Sequence, residues 1–134
     1  MTDTDATALK GKKGFQRLLN ATRYSMKGFA AAYQHEAAFR EEVMLAIVLI
    51  PAALLLGVSA VETVLLIGSV LLLMLVEILN SGLEAVVDRI GPEIHPLSGR
   101  AKDLGSAAVF IAIVILCLTW GLIAVPAVWH MIVG

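Results

Sequence analysis

The sequence predicts an all-α membrane protein: an N-terminal amphipathic surface helix plus three transmembrane helices, packed as a helical bundle. The first observation is composition, because 59% of the 134 residues are hydrophobic, more than a soluble domain of this length usually has. The second is three long stretches without Asp, Glu, Lys or Arg, at 43–60, 64–76 and 107–132. The third is the placement of all ten Lys and Arg residues within 10–40 and 89–102.

The N-terminal region is predicted to contain a flexible arm (1–13) and a surface helix at about 14–35. The arm begins the chain ahead of a single membrane domain at 14–134. The helix carries an apolar stripe that runs from Phe15 through Met26 to Tyr33, while Arg17 and Arg23 lie off that stripe. A basic amphipathic helix of this kind suits the interface of an anionic membrane leaflet.

Three membrane spans are expected, at about 42–60, 63–89 and 106–130. A span requires about 20 predominantly apolar residues. The third stretch meets this length alone, and the first meets it with help from its flanks. The second meets it only if Glu77 and Asn80 lie near or inside the membrane, so the sequence places both polar residues at shallow membrane depth.

The distribution of basic residues predicts the orientation of the spans. The link between the second and third spans carries Arg100 and Lys102, whereas the link between the first and second carries Glu62 and no basic residue. By the positive-inside rule, the N-terminus and the 89–106 loop face the cytoplasm. The 57–63 turn and the C-terminus then face the outside.

A polar stripe on the second span is the strongest indication of function. Glu77, Asn80, Glu84 and Asp88 share one face of a helix. Ionisable groups at membrane depth are costly, so they are a functional hypothesis by default. Carboxylates, an amide and a nearby lysine suit a Mg²⁺-nucleotide, although the Walker A, Gly-x-Gly-x-x-Gly and kinase catalytic-loop motifs are absent from the sequence.

The chain resembles the prokaryotic diacylglycerol kinase family. The resemblance rests on EILNSGLEAVVDR at 77–89, HPLSGRAKDLGSAA at 95–108, EAAFREE at 36–42 and YSMKG at 24–28. It implies a homotrimeric, multi-pass enzyme of the bacterial inner membrane, with active sites shared between subunits. The implied reaction transfers the γ-phosphate of MgATP to the hydroxyl of diacylglycerol, giving phosphatidic acid and ADP. No nucleic-acid partner is expected.

The resemblance also implies roles for individual residues. Glu77 matches the general base, and Asn80 and Lys102 match catalytic positions around the phosphates. Glu36 and Glu84 match the carboxylates that bind Mg²⁺. The implied lipid-substrate residues are Glu42, Glu77 and Ser106. The implied nucleotide-binding residues are Arg17, Tyr24, Ser25, Glu36, Glu84, His95, Lys102 and Asp103.

Two alternative functions remain open at this level. An undecaprenol kinase of the same family would use a polyprenol as acceptor with the same site. A small proton-coupled transporter would use a membrane-embedded acid such as Glu77 as a proton relay. Transport predicts ionisable groups or broken helices near the midplane, whereas the titratable clusters here lie at one face of the membrane.

Overall fold

The backbone of residues 3–134 forms four α-helices in this computed structural model, which describes side chains from residue 11 onward. The helices are α1 (Asp3–His35), α2 (Ala37–Leu55), α3 (Ala60–Ile90) and α4 (Pro96–Val133). The all-α fold class is therefore confirmed. The chain divides into two compact units at the boundary between His35 and Glu36.

The first unit contains α1, which begins at Asp3 rather than at about residue 14. Its predicted stripe presents exposed apolar side chains, with Phe15 and Leu18 each 63% exposed. Hydroxyls along the helix bond back to the preceding turn, as Ser25 Oγ does when it donates to the Ala21 carbonyl at 2.9 Å. The side chains of residues 1–10 lie outside the described part, so the flexibility of the 1–13 arm stays a prediction.

The second unit begins at Glu36, whose extended backbone separates α1 from α2. α2 ends at Leu55, short of the predicted limit near residue 60. Gly57 follows with a positive φ of 69°, a conformation that glycine adopts without steric cost. The chain therefore leaves the helix here, and residues 56–59 form the turn that was predicted within 57–63.

α3 begins with a capping box. Ser59 Oγ accepts a hydrogen bond from the Glu62 backbone N–H at 3.2 Å, and Glu62 Oε1 accepts one from the Ser59 backbone N–H at 3.4 Å. These contacts satisfy backbone donors that a helix N-terminus otherwise leaves unpaired. Ser59 and Glu62 therefore stabilise the N-terminus of the helix that carries the polar stripe. α3 ends at Ile90, where Gly91 has a φ of 152°.

α4 begins at Pro96, well before the predicted start near residue 106. Pro96 occupies the first turn, where its missing N–H costs nothing. His95 caps the helix, because its Nδ1 accepts a hydrogen bond from the Leu97 N–H at 3.0 Å. The predicted 89–106 loop is thus a short turn at 91–95, and Lys102 and Asp103 lie on a helix.

α3 packs against both α2 and α4. At one end of these helices, Ala53, Leu66 and Ala124 form a buried cluster to which each of the three helices contributes one residue. Trp120 packs on this cluster and donates its indole N–H to the Leu66 carbonyl at 3.2 Å. This hydrogen bond joins α4 to α3.

α3 and α4 are long and apolar enough to cross a membrane, whereas α2 does not meet the same test. α2 has 19 residues, and Arg40, Glu41 and Glu42 occupy its first turns. Many large apolar side chains on α2, α3 and α4 remain exposed, such as Leu55 at 79% and Leu122 at 74%. Such a surface suits a lipid environment, and membrane crossing by α2 stays a prediction.

Candidate functional site

The polar stripe on α3 passes from a buried end to an exposed end. Glu77 directly follows the uncharged stretch 64–76 and is 7% exposed. Asn80 and Glu84 are partly buried, and Asp88 is exposed. The exposure of these side chains therefore increases along α3, from its apolar part toward its polar C-terminal end. The structure therefore places the predicted general base where a reacting group is shielded from water.

Glu77 lies among other carboxylates of the second unit. Glu36 and Glu84 both act electrostatically on it, and Glu77 in turn acts on Glu42. Glu42 Oε2 is buried and has no hydrogen-bond partner among the described residues. Four acids from the start of α2 and from α3 thus share one region. Like charges that are partly desolvated repel each other, so a nearby cation would lower the repulsion among these acids.

Asn80 lies on α3 between Glu77 and Glu84. Its Oδ1 is buried and has no hydrogen-bond donor within the described part of the chain. A buried acceptor without a donor is uncommon in folded proteins. The oxygen lies against α4 at Gly105.

Lys102 on α4 reaches across to the polar end of α3. Its Nζ lies 3.0 Å from Asp88 Oδ1, and the two side chains are 47% and 67% exposed. The hydrogen bond to Asp88 and the attraction of its carboxylate raise the pKa of Lys102 above its ordinary value, with a smaller contribution from Glu84. Lys102 precedes the apolar part of α4, and its ammonium stays charged at neutral pH.

A depression of about 310 Å³ lies beside this ion pair. The end of α3, the 91–95 turn and the first turns of α4 line it, and both His95 and Lys102 contribute. The structure therefore brings together two of the predicted nucleotide residues. Asp103 and Ser106 are exposed on α4 and do not line the depression.

Three predicted nucleotide residues belong to the first unit. Arg17, Tyr24 and Ser25 are exposed on α1, and the Tyr24 ring has Lys27 Nζ 5.8 Å from its centroid. The hydroxyl of Ser25 is engaged with its own helix. Their roles rest on the resemblance.

The carboxylates of Glu36 and Glu84 are of the chemical type that binds Mg²⁺, but alone they do not form a complete set of ligands. Within the described residues, no group of three or more His, Cys, Asp or Glu side chains lies close enough to hold a metal ion. Mg²⁺ is commonly held by one or two carboxylates together with phosphate oxygens and water. Glu36 and Glu84, which both act on Glu77, supply oxygen donors of that kind.

The sequence places Asp88 on the polar stripe but does not predict its partner. The contact between Asp88 and Lys102 joins two helices across the 91–95 turn, and the length of that turn was mispredicted. The position of Asp88 on the same stripe as Glu84 was the available signal. His95 is also engaged as a helix cap, which its place directly before Pro96 could have indicated.

Comparisons with known proteins decide the family. The profile of the family described as "Prokaryotic diacylglycerol kinase" matches residues 23–124. The chain belongs to the prokaryotic diacylglycerol kinase family. The match spans α2 and α3 whole, with the second part of α1 and most of α4. The family and the enzyme class predicted from the sequence, a kinase, are confirmed.

Curated relatives of the family carry the same name. A protein named diacylglycerol kinase from Pseudomonas aeruginosa is 54% identical over 114 residues, which cover 85% of this chain and 93% of the relative. One from Haemophilus influenzae is 54% identical, with 81% and 92% covered. One from Escherichia coli is 57% identical, with 80% and 88% covered.

Proposed function

We propose that this chain phosphorylates diacylglycerol with MgATP and releases phosphatidic acid and ADP. The single observation that carries the proposal is Glu77, which is 7% exposed on α3 directly beyond an uncharged stretch. At this position its carboxylate meets a lipid hydroxyl where the apolar part of the helix ends. The names of the relatives favour diacylglycerol over undecaprenol as acceptor, and they do not favour transport.

The reaction assigns distinct tasks to the residues on α3 and α4. Glu77 accepts the proton of the acceptor hydroxyl, whose oxygen forms the new bond to the γ-phosphorus as the bond to the leaving ADP oxygen breaks. The Asn80 amide orients the reacting groups beside Glu77. The Lys102 ammonium, 3.0 Å from Asp88, offsets negative charge on the phosphates. Ser106 and Glu42 complete the contacts to the lipid.

Glu36 and Glu84 are the residues that would hold Mg²⁺. Bound there, the cation would neutralise phosphate charge during transfer. A cation held by Glu36 and Glu84 would also lower their repulsion with Glu77. Arg17, Tyr24, Ser25, His95 and Asp103 complete the proposed nucleotide contacts, with support from the family resemblance.

The proposal includes the setting of the enzyme. It lies in the bacterial inner membrane with its N-terminus and the 91–95 turn in the cytoplasm, where ATP is present, and its C-terminus outside. Three copies form a homotrimer with shared active sites, an assembly supported by the family resemblance. The mass of the purified protein in detergent, measured by light scattering, tests the trimer, and a monomeric mass for active protein would refute it.

Replacement of Glu77 by glutamine tests the proposed base. The amide is nearly isosteric but does not accept the proton, so we expect turnover on dioleoylglycerol to fall by about 10²- to 10⁴-fold. The measurement is incorporation of labelled γ-phosphate into lipid by purified protein in mixed micelles. The matched control is Glu41→Gln, at an exposed acid near the start of α2, which should keep the activity. Wild-type turnover in folded E77Q would remove Glu77 as the base.

A further inference from the structure

Gly105 on α4 is buried where α4 faces Asn80 on α3. A Cβ built at Gly105 overlaps Asn80 Oδ1 and lies 3.1 Å from Asn80 Cγ, with Leu83 Cδ2 at an ordinary contact distance of 3.5 Å. Among the other described glycines inside helices, including Gly99 and Gly121, a Cβ meets nothing within 4 Å. The close approach is therefore specific to Gly105.

No hydrogen bond to a described residue explains the position of the Asn80 oxygen. Oδ1 is buried without a donor among these residues, and its close neighbour on α4 is Gly105. The space it occupies is the space that a side chain on Gly105 would take. A protein interior leaves few such gaps, and this gap admits the end of an asparagine side chain.

We propose that Gly105 is a positioning residue for phosphoryl transfer: its missing side chain lets the Asn80 amide lie against α4, in register with Glu77 and Glu84. The inference rests on the proposed function, in which Asn80 orients the reacting groups. Gly105 itself touches neither substrate nor nucleotide. It acts by setting the place of the amide between the two helices.

The cost of a side chain at Gly105 should fall on the site rather than on the fold. The overlapping atom is the end of a side chain that moves by rotation about its own bonds, so α4 need not shift. Alanine also favours a helix interior over glycine. Gly105→Ala should therefore fold normally while its Asn80 amide is displaced.

The experiment compares four variants of the full chain: Gly105→Ala, Gly121→Ala, Asn80→Ala and the double variant of positions 80 and 105. Displacement of a positioning group by about 1 Å can cost about 10²-fold in rate. We expect G105A to lose about 10- to 100-fold in kcat on dioleoylglycerol, with the KM for ATP changed less than about twofold. G121A, which adds the same methyl group on the same helix, should keep wild-type turnover.

The double variant distinguishes positioning from a general packing defect. Once Asn80 is alanine, the methyl group at 105 has no amide to displace, so it should cause no further loss of kcat. Thermal unfolding midpoints give a second double-mutant cycle. In the N80A background, G105A should raise the midpoint by as much as G121A does in wild type. When Asn80 is present, G105A should raise the midpoint by less.

Several outcomes would overturn the inference. Full activity of G105A would show that the amide tolerates the side chain. Independent losses at positions 80 and 105, or a double variant that fails to fold, would show that Gly105 acts through other contacts. If wild type and G121A phosphorylate no diacylglycerol either, the proposed function fails first and this role fails with it.

Discussion

Glu84 lies between the buried and the exposed ends of the stripe on α3. It is partly buried, acts electrostatically on Glu77 on the buried side and contributes to the field around Lys102 on the polar side. A carboxylate placed between a proposed base and a proposed phosphate contact is well situated to hold the metal of a metal–nucleotide complex. Its contribution is separable from that of Glu77, because metal binding and proton transfer have different readouts.

Removal of the Glu84 carboxylate should weaken the apparent affinity for Mg²⁺. A charged contact is worth about 1.5–3 kcal/mol, which corresponds to about a 10- to 100-fold rise in the Mg²⁺ concentration at half-maximal rate. A Mg²⁺ titration of Glu84→Ala at fixed ATP measures this shift. Glu41→Ala is the control, because Glu41 is exposed. An unchanged Mg²⁺ dependence in the Glu84 variant would contradict the assignment.

At the residue scale, the sequence predicted the side chains that share one helix face and missed those that depend on a neighbouring helix. Glu77, Asn80 and Glu84 follow from helical spacing and from the apolar stretch before them. The partner of Lys102 and the neighbour of Gly105 depend on where α4 begins and how closely it approaches α3. The spacing of residues within one helix gives no information on the distance between Lys102 and Asp88 or between Gly105 and Asn80.

At the scale of elements, Trp120 is the clearest polar link between α3 and α4. Its indole N–H donates to the carbonyl of Leu66, a residue with 0% exposure. The same carbonyl also accepts from Ser69 Oγ at 2.8 Å. In an apolar environment, burial of apolar surface gives helices little reason to associate, so packing and interhelical hydrogen bonds carry more of the association.

Trp120→Phe should therefore destabilise the protein by about 0.5–1.5 kcal/mol, because it removes one interhelical hydrogen bond and some packing volume. Reversible unfolding in mixed micelles, followed by circular dichroism, measures the change. Trp129→Phe is the matched control, since Trp129 is 63% exposed. Equal unfolding midpoints for the two variants would show that the Trp120 contact contributes nothing.

Helix boundaries depended on local chemistry that hydropathy does not register. Apolar runs predicted that helices exist near 42–60, 63–89 and 106–130, but a hydropathy pattern ends where charges begin. The helix in fact continues through Arg100, Lys102 and Asp103 because Pro96 and His95 start it upstream of them. The spacing of Ser59 and Glu62 was likewise readable as a capping box.

At the scale of the whole chain, charge and hydropathy together agree with a membrane enzyme whose polar site lies at one end of its apolar helices. Every Lys and Arg lies within 10–40 or 89–102, and Lys102 lies beside the depression at the end of α3. Two helices are long and apolar enough to cross a membrane. The lipid acceptor and the nucleotide would then approach the stripe on α3 from its apolar and polar ends.

Composition and periodicity predicted the fold class, and motif resemblance predicted the family that the comparisons confirm. The trimer and the sharing of active sites depend on surfaces that meet a second copy of the chain. A single sequence gives no pairing of such surfaces, because lipid-facing and subunit-facing apolar residues have the same composition. These features rest on the resemblance and stay proposals.

The central claim is tested most directly by offering dioleoylglycerol and undecaprenol side by side to the purified full chain in mixed micelles, with labelled ATP. We expect labelled phosphatidic acid, formed only when both ATP and Mg²⁺ are present and faster than any labelled polyprenyl phosphate. Preference for undecaprenol would keep the site and refute the acceptor. Absence of label in either lipid, from protein that is folded, would contradict the kinase function proposed for this site.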